Sequence, residues 1–315
     1  MESSTRTTVP LTRAALLLLG LWLPTPVLAQ TAPPLPERRL VINSLLVARL
    51  NPLGLELQTR GGYQRRLYPH EGPLFRDNFL FVGVYPKLSP AGIKVGPVVE
   101  VQPLSIFNLR LSAEYVGFFG AQGFLQSRPS ANADASDTAR DDGKAAGQHY
   151  SASGMRLALE PFVQMKLGPV AVRNRFAAEY WSMGLRGEDR VWYDATLDTL
   201  VPGKGFTLAN DLDVLFLGLP PLVVGARYSL VEPLYTPRHL EAGEALTVDN
   251  GHQRVGLLAA YVFYDEGYTA FNKPAVILNV AWYLQHRFRT GADVNRAMPY
   301  LLLGFAFQSD LLDGT

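Results

Sequence analysis

From about residue 40 to residue 312 the chain is a succession of ~10–15-residue segments in which apolar and polar residues alternate. A period of two is the period of a β-strand, whose side chains point to opposite faces in turn. Met155 to Leu167 shows the pattern: Met155, Leu157, Leu159, Val163 and Met165 share one parity, and Arg156, Glu160, Gln164 and Lys166 share the other. Twelve such segments are read, near 40–50, 54–68, 78–88, 92–103, 105–119, 153–167, 169–183, 205–217, 221–235, 252–264, 274–288 and 298–311.

Most links between them alternate in length; those after segments 1 and 3, Asn51 to Leu53 and Ser89 to Ala91, are short exceptions, and those after segments 2 and 10 are intermediate. Those after segments 5, 7, 9 and 11 are long, at about 120–152, 184–204, 236–251 and 289–297. Those after segments 4, 6 and 8 are tight, at Leu104, Gly168 and Gly218 to Pro220. Short links on one side and long loops on the other fit an all-β transmembrane antiparallel barrel of about twelve strands, up-and-down, with both termini periplasmic. Its outward parity is apolar and its inward parity polar. A soluble secreted β-protein is the competing fold.

The first residues agree with this expectation. Arg6 and Arg13 precede an apolar run, Ala14 to Leu23, which Pro24 and Pro26 break before Val27-Leu28-Ala29. That is the form of a cleaved signal peptide, and the run is too short for a spanning helix, which needs ~20 residues. The expected divisions are therefore a signal peptide over 1–29, a Pro-rich periplasmic lead-in over 30–39 and the barrel over 40–315. Without residues 1–29 the chain holds 27 basic and 27 acidic residues. That balance argues against a nucleic-acid partner. There is no cysteine, hence no disulfide framework and no thiolate metal site.

On the last two segments Val276, Val280, Trp282, Leu284, Leu301, Leu303, Phe305 and Phe307 are assigned to lipid. Tyr115, Phe119, Tyr180, Phe206 and Phe288 are placed near the outer rim, and Phe107, Phe216, Phe263 and Phe307 near the inner rim, as aromatic girdles. With these faces assigned, the chain resembles Gram-negative outer-membrane β-barrel proteins, over about 40–312 and at the level of pattern only. The resemblance implies residence in the outer membrane, with outer-membrane lipid and the barrel-assembly machinery as partners. The chain departs from such proteins in ending Leu311-Leu312-Asp313-Gly314-Thr315 rather than on an aromatic residue.

The inward parity carries both signs. Arg110, Glu114, Arg156, Glu160, Arg173, Arg175, Glu179, Asp211, Asp213, Arg227 and Arg287 form the expected lumen network, with Arg173 and Arg175 set to meet Asp211 and Asp213 across neighbouring strands. Glu56, Arg60, Lys94, Glu100 and Lys166 share the parity. Such a lumen is either a narrow porin-like pore for passive movement of small solutes or a salt-bridged plug inside a structural barrel that binds a partner through its loops.

Catalytic chemistry is weakly signalled. His286 has outward parity, but Leu284 and Phe288 stand where a lipid-facing serine would be needed, so a lipid-modifying enzyme is a distant third reading. His252 follows Thr247, Asp249 and Asn250 without a nucleophile motif. Asp134, Asp137, Asp141, Asp142 and Gly143 lack the spacing of a calcium loop, and 120–152 is expected to be a mobile surface loop. Val201-Pro202-Gly203-Lys204-Gly205 is expected to be a hairpin tip. No cofactor, metal site or catalytic residue is assigned. Residues 190–200 (RVWYDATLDTL) are apolar enough to fold inward and serve as a lid or constriction.

Overall fold

The computed structural model describes residues 35–70 and 72–311. The expected leader, 1–29, lies outside the described residues. Twelve antiparallel strands close on themselves: β1 (Arg38–Leu50), β2 (Gly54–Arg65), β3 (Phe79–Val84, continued by Lys87–Ser89), β4 (Gly92–Val95, continued by Pro97–Leu104), β5 (Phe107–Phe119) and β6 (Ser151–Leu167). The second half comprises β7 (Val170–Met183), β8 (Lys204–Leu219), β9 (Leu222–Leu234), β10 (His252–Val262), β11 (Asn272–Gln285) and β12 (Tyr300–Asp310). Each strand pairs with its chain neighbours, and β1 pairs with both β2 and β12, from Val41↔Asp310 to Leu50↔Leu301. Closure leaves no sheet edge, and an unpaired edge is what hydrocarbon does not tolerate.

The breaks in β3 and β4 have local causes. Pro86 has no N–H to give the ladder. Gly96 lies so close to β5 that a Cβ there would sit 1.8 Å from the Ala113 carbonyl oxygen. Register is unchanged across the gaps: Val84↔Pro97 and Lys87↔Lys94 belong to one alignment, as do Val95↔Tyr115 and Val98↔Ser112.

The distribution of polarity decides between the two folds the alternation allowed. Leu46, Val82, Leu111, Met155, Val214 and Leu303 are exposed, and Leu257 is 67% exposed. Glu100, Glu114, Arg156, Glu179 and Asp213 are buried, Glu114 completely. A soluble sandwich does the reverse, because water drives apolar surface inward. The sheet is therefore a transmembrane barrel with lipid as its outer solvent. Tyr115, Phe119 and Phe206 stand exposed at one rim, and Phe216 and Phe263 at the other.

Four long loops, 120–150, 184–203, 235–251 and 286–299, gather at the end taken as extracellular. Segment 120–150 is not the mobile loop its composition suggested. It contains a short strand, Ser127–Arg128, and a helix, Asp137–Ala145, that Ser136 caps through Ala139 N–H. Its Ala131 and Ala135 are small enough to pack under Val191, Tyr193, Leu200 and Leu240, so alanine supplies the core that bulkier residues would usually supply.

Leu257 lies in the middle of β10 and faces outward. Leu257→Arg is expected to cost about 2–4 kcal/mol of folding stability into lipid vesicles, measured by denaturant titration, because the charge enters the lipid-facing band. A change within about 0.5 kcal/mol, the usual effect at a water-exposed surface, would contradict the transmembrane assignment.

Candidate functional site

Toward the outer end the lumen is laced by ion pairs. Arg156 on β6 donates to Glu114 on β5 at 2.8 Å and also bonds Glu179 on β7. Glu114 accepts from Lys87 at 2.7 Å. Lys94 stands 4.0 Å from Glu56 and 3.9 Å from Asp194. Further in, Glu100 holds Arg60 and accepts from Arg110 at 2.6 Å, with Glu160 3.6 Å from Arg110. Each charge has left water and is matched by opposite charge, which is the condition for its burial.

The half nearer the inner rim is more open. Asp213 accepts from Arg227 at 2.6 and 2.9 Å and from Arg173 at 2.7 Å. Asp211 lies 3.6 Å from Arg227 and accepts from Ser229 at 2.5 Å. The Arg173 and Asp211 side chains nonetheless remain 37% and 36% exposed, on the lumen side of the wall. Arg175 is exposed as well. It does not pair with Asp211 as expected. Its guanidinium lies over the Phe162 ring at 5.3 Å, because Arg227 and Ser229 already take the Asp211 carboxylate.

Residues 184–203 do fold inward. Val191–Asp194 and Thr199–Pro202 pair as a hairpin whose eight residues are all buried. The turn is written in Asp194, whose Oδ1 accepts from the N–H groups of Thr196 and Leu197 at 2.7 and 2.8 Å. Asp198 takes a left-handed conformation, φ +53°, which aspartate adopts more readily than most residues. One hairpin face, Trp192 and Val201 with Leu197 of the turn, packs down on Val116, Trp181, Met183 and Val231 of the barrel. The other face, Val191, Tyr193 and Leu200, packs up against the loop layer. The Trp181 and Trp192 rings meet edge to face at 5.3 Å. Gly203 is thus the passage from the hairpin back to the wall, not a hairpin tip.

One carboxylate fixes the hairpin to its surroundings. Asp198 accepts from Tyr193 at 2.6 Å, from Tyr283 at 2.7 Å, and from Arg289 in two bonds of 2.6 and 2.9 Å. Arg289 also donates to Asn51 in the β1–β2 link and to Asp137 of the helix. His286 Nδ1 accepts from Phe288 N–H, so its Nε2 carries the proton and donates to the Asp198 carbonyl at 3.0 Å. His252 Nε2 donates to the Leu197 carbonyl at 2.7 Å. Burial pushes the Asp198 carboxyl up, but His286 and Arg289 outweigh it and hold it well below the usual carboxylate range. Burial, then the Asp198 charge, pushes the Tyr193 hydroxyl up, so it stays a donor.

Ten of the eleven expected network residues stand on β5 to β9, on the parity opposite the exposed apolar residues. Arg287 does not: it donates to the Asn132 and Ala133 carbonyls and to Asn250, in the loop layer above. His286 and Phe288 are corrected for the same reason. β11 ends at Gln285, strand parity ends with it, and His286 turns inward while Phe288 packs on the loop core. Thr247, Asp249 and Asn250 do not converge on His252: they bond Asn132, Gln285 and Ala131. Sequence reasoning missed Asp198, Arg289 and Lys87. Lys87 follows the break at Pro86, and the partners of Asp198 are up to 91 residues away.

No protein-family model matches the chain. No curated protein matches it either. Among solved structures it is similar to OccAB1 of Acinetobacter baumannii (TM-score 0.41, 13% identity, 81% of this chain and 58% of that one). It is also similar to the CymD monoaromatic hydrocarbon channel (0.38, 10%, 89% and 90%) and to OprD of Pseudomonas aeruginosa (0.29, 10%, 89% and 95%). The chain thus spans 58% of the length of OccAB1. At these scores the likeness carries no argument about function, and the barrel assignment stands on the hydrogen-bonded registers above.

Asp198→Ala removes the nearer of the two carboxylates that hold Arg289, a loss of about 1.5–3 kcal/mol of local stability. Iodide quenching of tryptophan fluorescence is expected to rise as Trp192 and Trp181 become accessible, while heat-dependent gel mobility still reports a folded barrel. Because the folded-state pKa of Asp198 is depressed, its contribution is present above the ordinary value of about 3.9 and is lost only as pH falls further. Quenching of the parent should therefore be unchanged between pH 7 and pH 5.

Proposed function

We propose that this protein is a narrow outer-membrane channel for passive movement of small solutes, held closed at its outer mouth by the 184–203 loop. The leader over 1–29 carries the chain across the inner membrane of a Gram-negative cell, and the barrel-assembly machinery inserts the rest. The supporting observation is the uneven filling of the lumen. Arg173, Arg175 and Asp211 keep exposed surface inside the wall, while the outer end is stopped by a segment that is not part of the wall. The 191–202 hairpin pairs with Ser127–Arg128 of the neighbouring loop and is tied to the barrel by side chains, with no rung in the barrel's own ladder, so it can move without opening the sheet.

The rival reading is a permanently filled structural barrel. It draws on the buried pairs around Arg156 and Glu114. Hydrolysis of lipid draws no support from the histidines, since both Nε2 atoms are engaged with hairpin carbonyls.

Single-channel recording separates the two readings. The parent barrel, refolded from 30–315, is expected to give rare, small current steps in a planar bilayer. A variant with 191–202 replaced by a short Gly/Ser link should give frequent, larger ones. A folded, inserted variant with no current would overturn the channel reading. In the conducting variant, Arg173→Gln with Arg175→Gln should shift the reversal potential toward cation selectivity, because the wall loses positive field. Unchanged selectivity would show that these arginines do not set it.

A further inference from the structure

The lumen wall is charged over most of its arc and carries one apolar patch. From β2 to β9 nearly every inward row carries charge: Gln164, Arg173, Asp213 and Arg227 are successive register partners across β6 to β9. From β9 round to β1 two rows change character, between a row with Asn43 and Gln308 on one side and a row with Asn279 and Arg49 on the other. Val223, Ala260, Ile277, Gly304 and Val47 are register partners across five strands, all inward and all apolar. The next row, Val262, Ala275, Ala306 and Leu45, continues the patch. Ile277, Ala260, Ala306 and Leu45 are only half-buried, so this wall is open to the bore rather than packed away. A membrane barrel needs no such patch, since its apolar residues are required on the other face.

The charged arc has a net free valence, and it is positive. Among the described residues Asp213 is held by two arginines, Asp211 by Arg227 and Ser229, and Glu160 faces Arg110. Arg175 has no carboxylate partner among the described residues and is exposed to the bore. Arg254, on β10, lies over the Tyr300 ring at 4.1 Å and forms no ion pair among the described residues.

We infer that the lumen is built for an amphipathic anion: a small carboxylate whose head meets Arg175 while its hydrocarbon body lies along the Ile277–Leu45 wall. This rests on the channel reading and deepens it by naming the solute class. A guanidinium without an internal partner supplies the two parallel donors a carboxylate takes. The apolar wall discriminates by chain length, since each methylene moved out of water favours binding.

The test uses the hairpin-replaced barrel in a planar bilayer carrying KCl current, with hexanoate, acetate and hexylammonium as probes. Hexanoate is expected to reduce the current at a concentration about tenfold lower than acetate does. Hexylammonium, with the same body and the opposite head, should have no effect in that range. Arg175→Gln should abolish the hexanoate effect, and Ile277→Asn should bring hexanoate down to the level of acetate. Equal potency of hexanoate and acetate, or block by hexylammonium as strong as by hexanoate, overturns this inference and leaves the channel standing. Absence of KCl current from a folded barrel overturns both.

Discussion

A strand in hydrocarbon has no water to satisfy its backbone, so the β1–β12 seam is the constraint from which the rest of the molecule follows. Closing twelve strands fixes which parity faces lipid and which faces inward. The inward parity carries charges that would be ruinous if left unpaired in so narrow a space. The ion pairs of Arg156, Glu114, Glu179, Glu100 and Arg110 are the response. They also make the outer part of the lumen stiff, and that stiffness gives the hairpin a defined surface of Val116, Trp181, Met183 and Val231 to rest on.

The hairpin uses a different economy. Its two faces bury apolar side chains in opposite directions, yet what sets its place is one carboxylate. Asp198 draws together the hairpin turn, the end of β11, the 286–299 loop and, through Arg289, the β1–β2 link and the helix of the 120–150 loop. Such a hub is cooperative, because losing any one donor leaves the others with an altered charge environment. Of its members only Tyr283 belongs to a wall strand, so the hub is not part of the ladder that closes the sheet.

Much of the wall was legible in the sequence because period-two alternation is a local signal. β10 was expected at 252–264 and spans His252–Val262; β7 was expected at 169–183 and spans Val170–Met183. The inward charges on those strands followed from the same parity. Legibility stopped where parity stopped. Past Gln285 the chain leaves the ladder, and His286, Arg287 and Phe288 went to faces that counting by twos misassigns. Arg175 does not take the partner its parity suggested, since competition for Asp211 depends on the side-chain reach of Arg227 and Ser229 on β9. The inward turn of 190–200 was visible as apolar composition, whereas the role of Asp198 was not. Its partners Tyr283 and Arg289 stand 85 and 91 residues away, and nothing in a local pattern joins them.

The most direct test of a lumen that is water-filled below and closed above is accessibility to a charged thiol reagent. The chain contains no cysteine, so a single one at Arg175 reports alone. With the barrel in an outer-facing membrane, a membrane-impermeant reagent added from outside should react slowly in the otherwise unchanged chain and much faster when Asp198→Ala is added. Equal rates in the two backgrounds would show that the hairpin is not what closes the mouth.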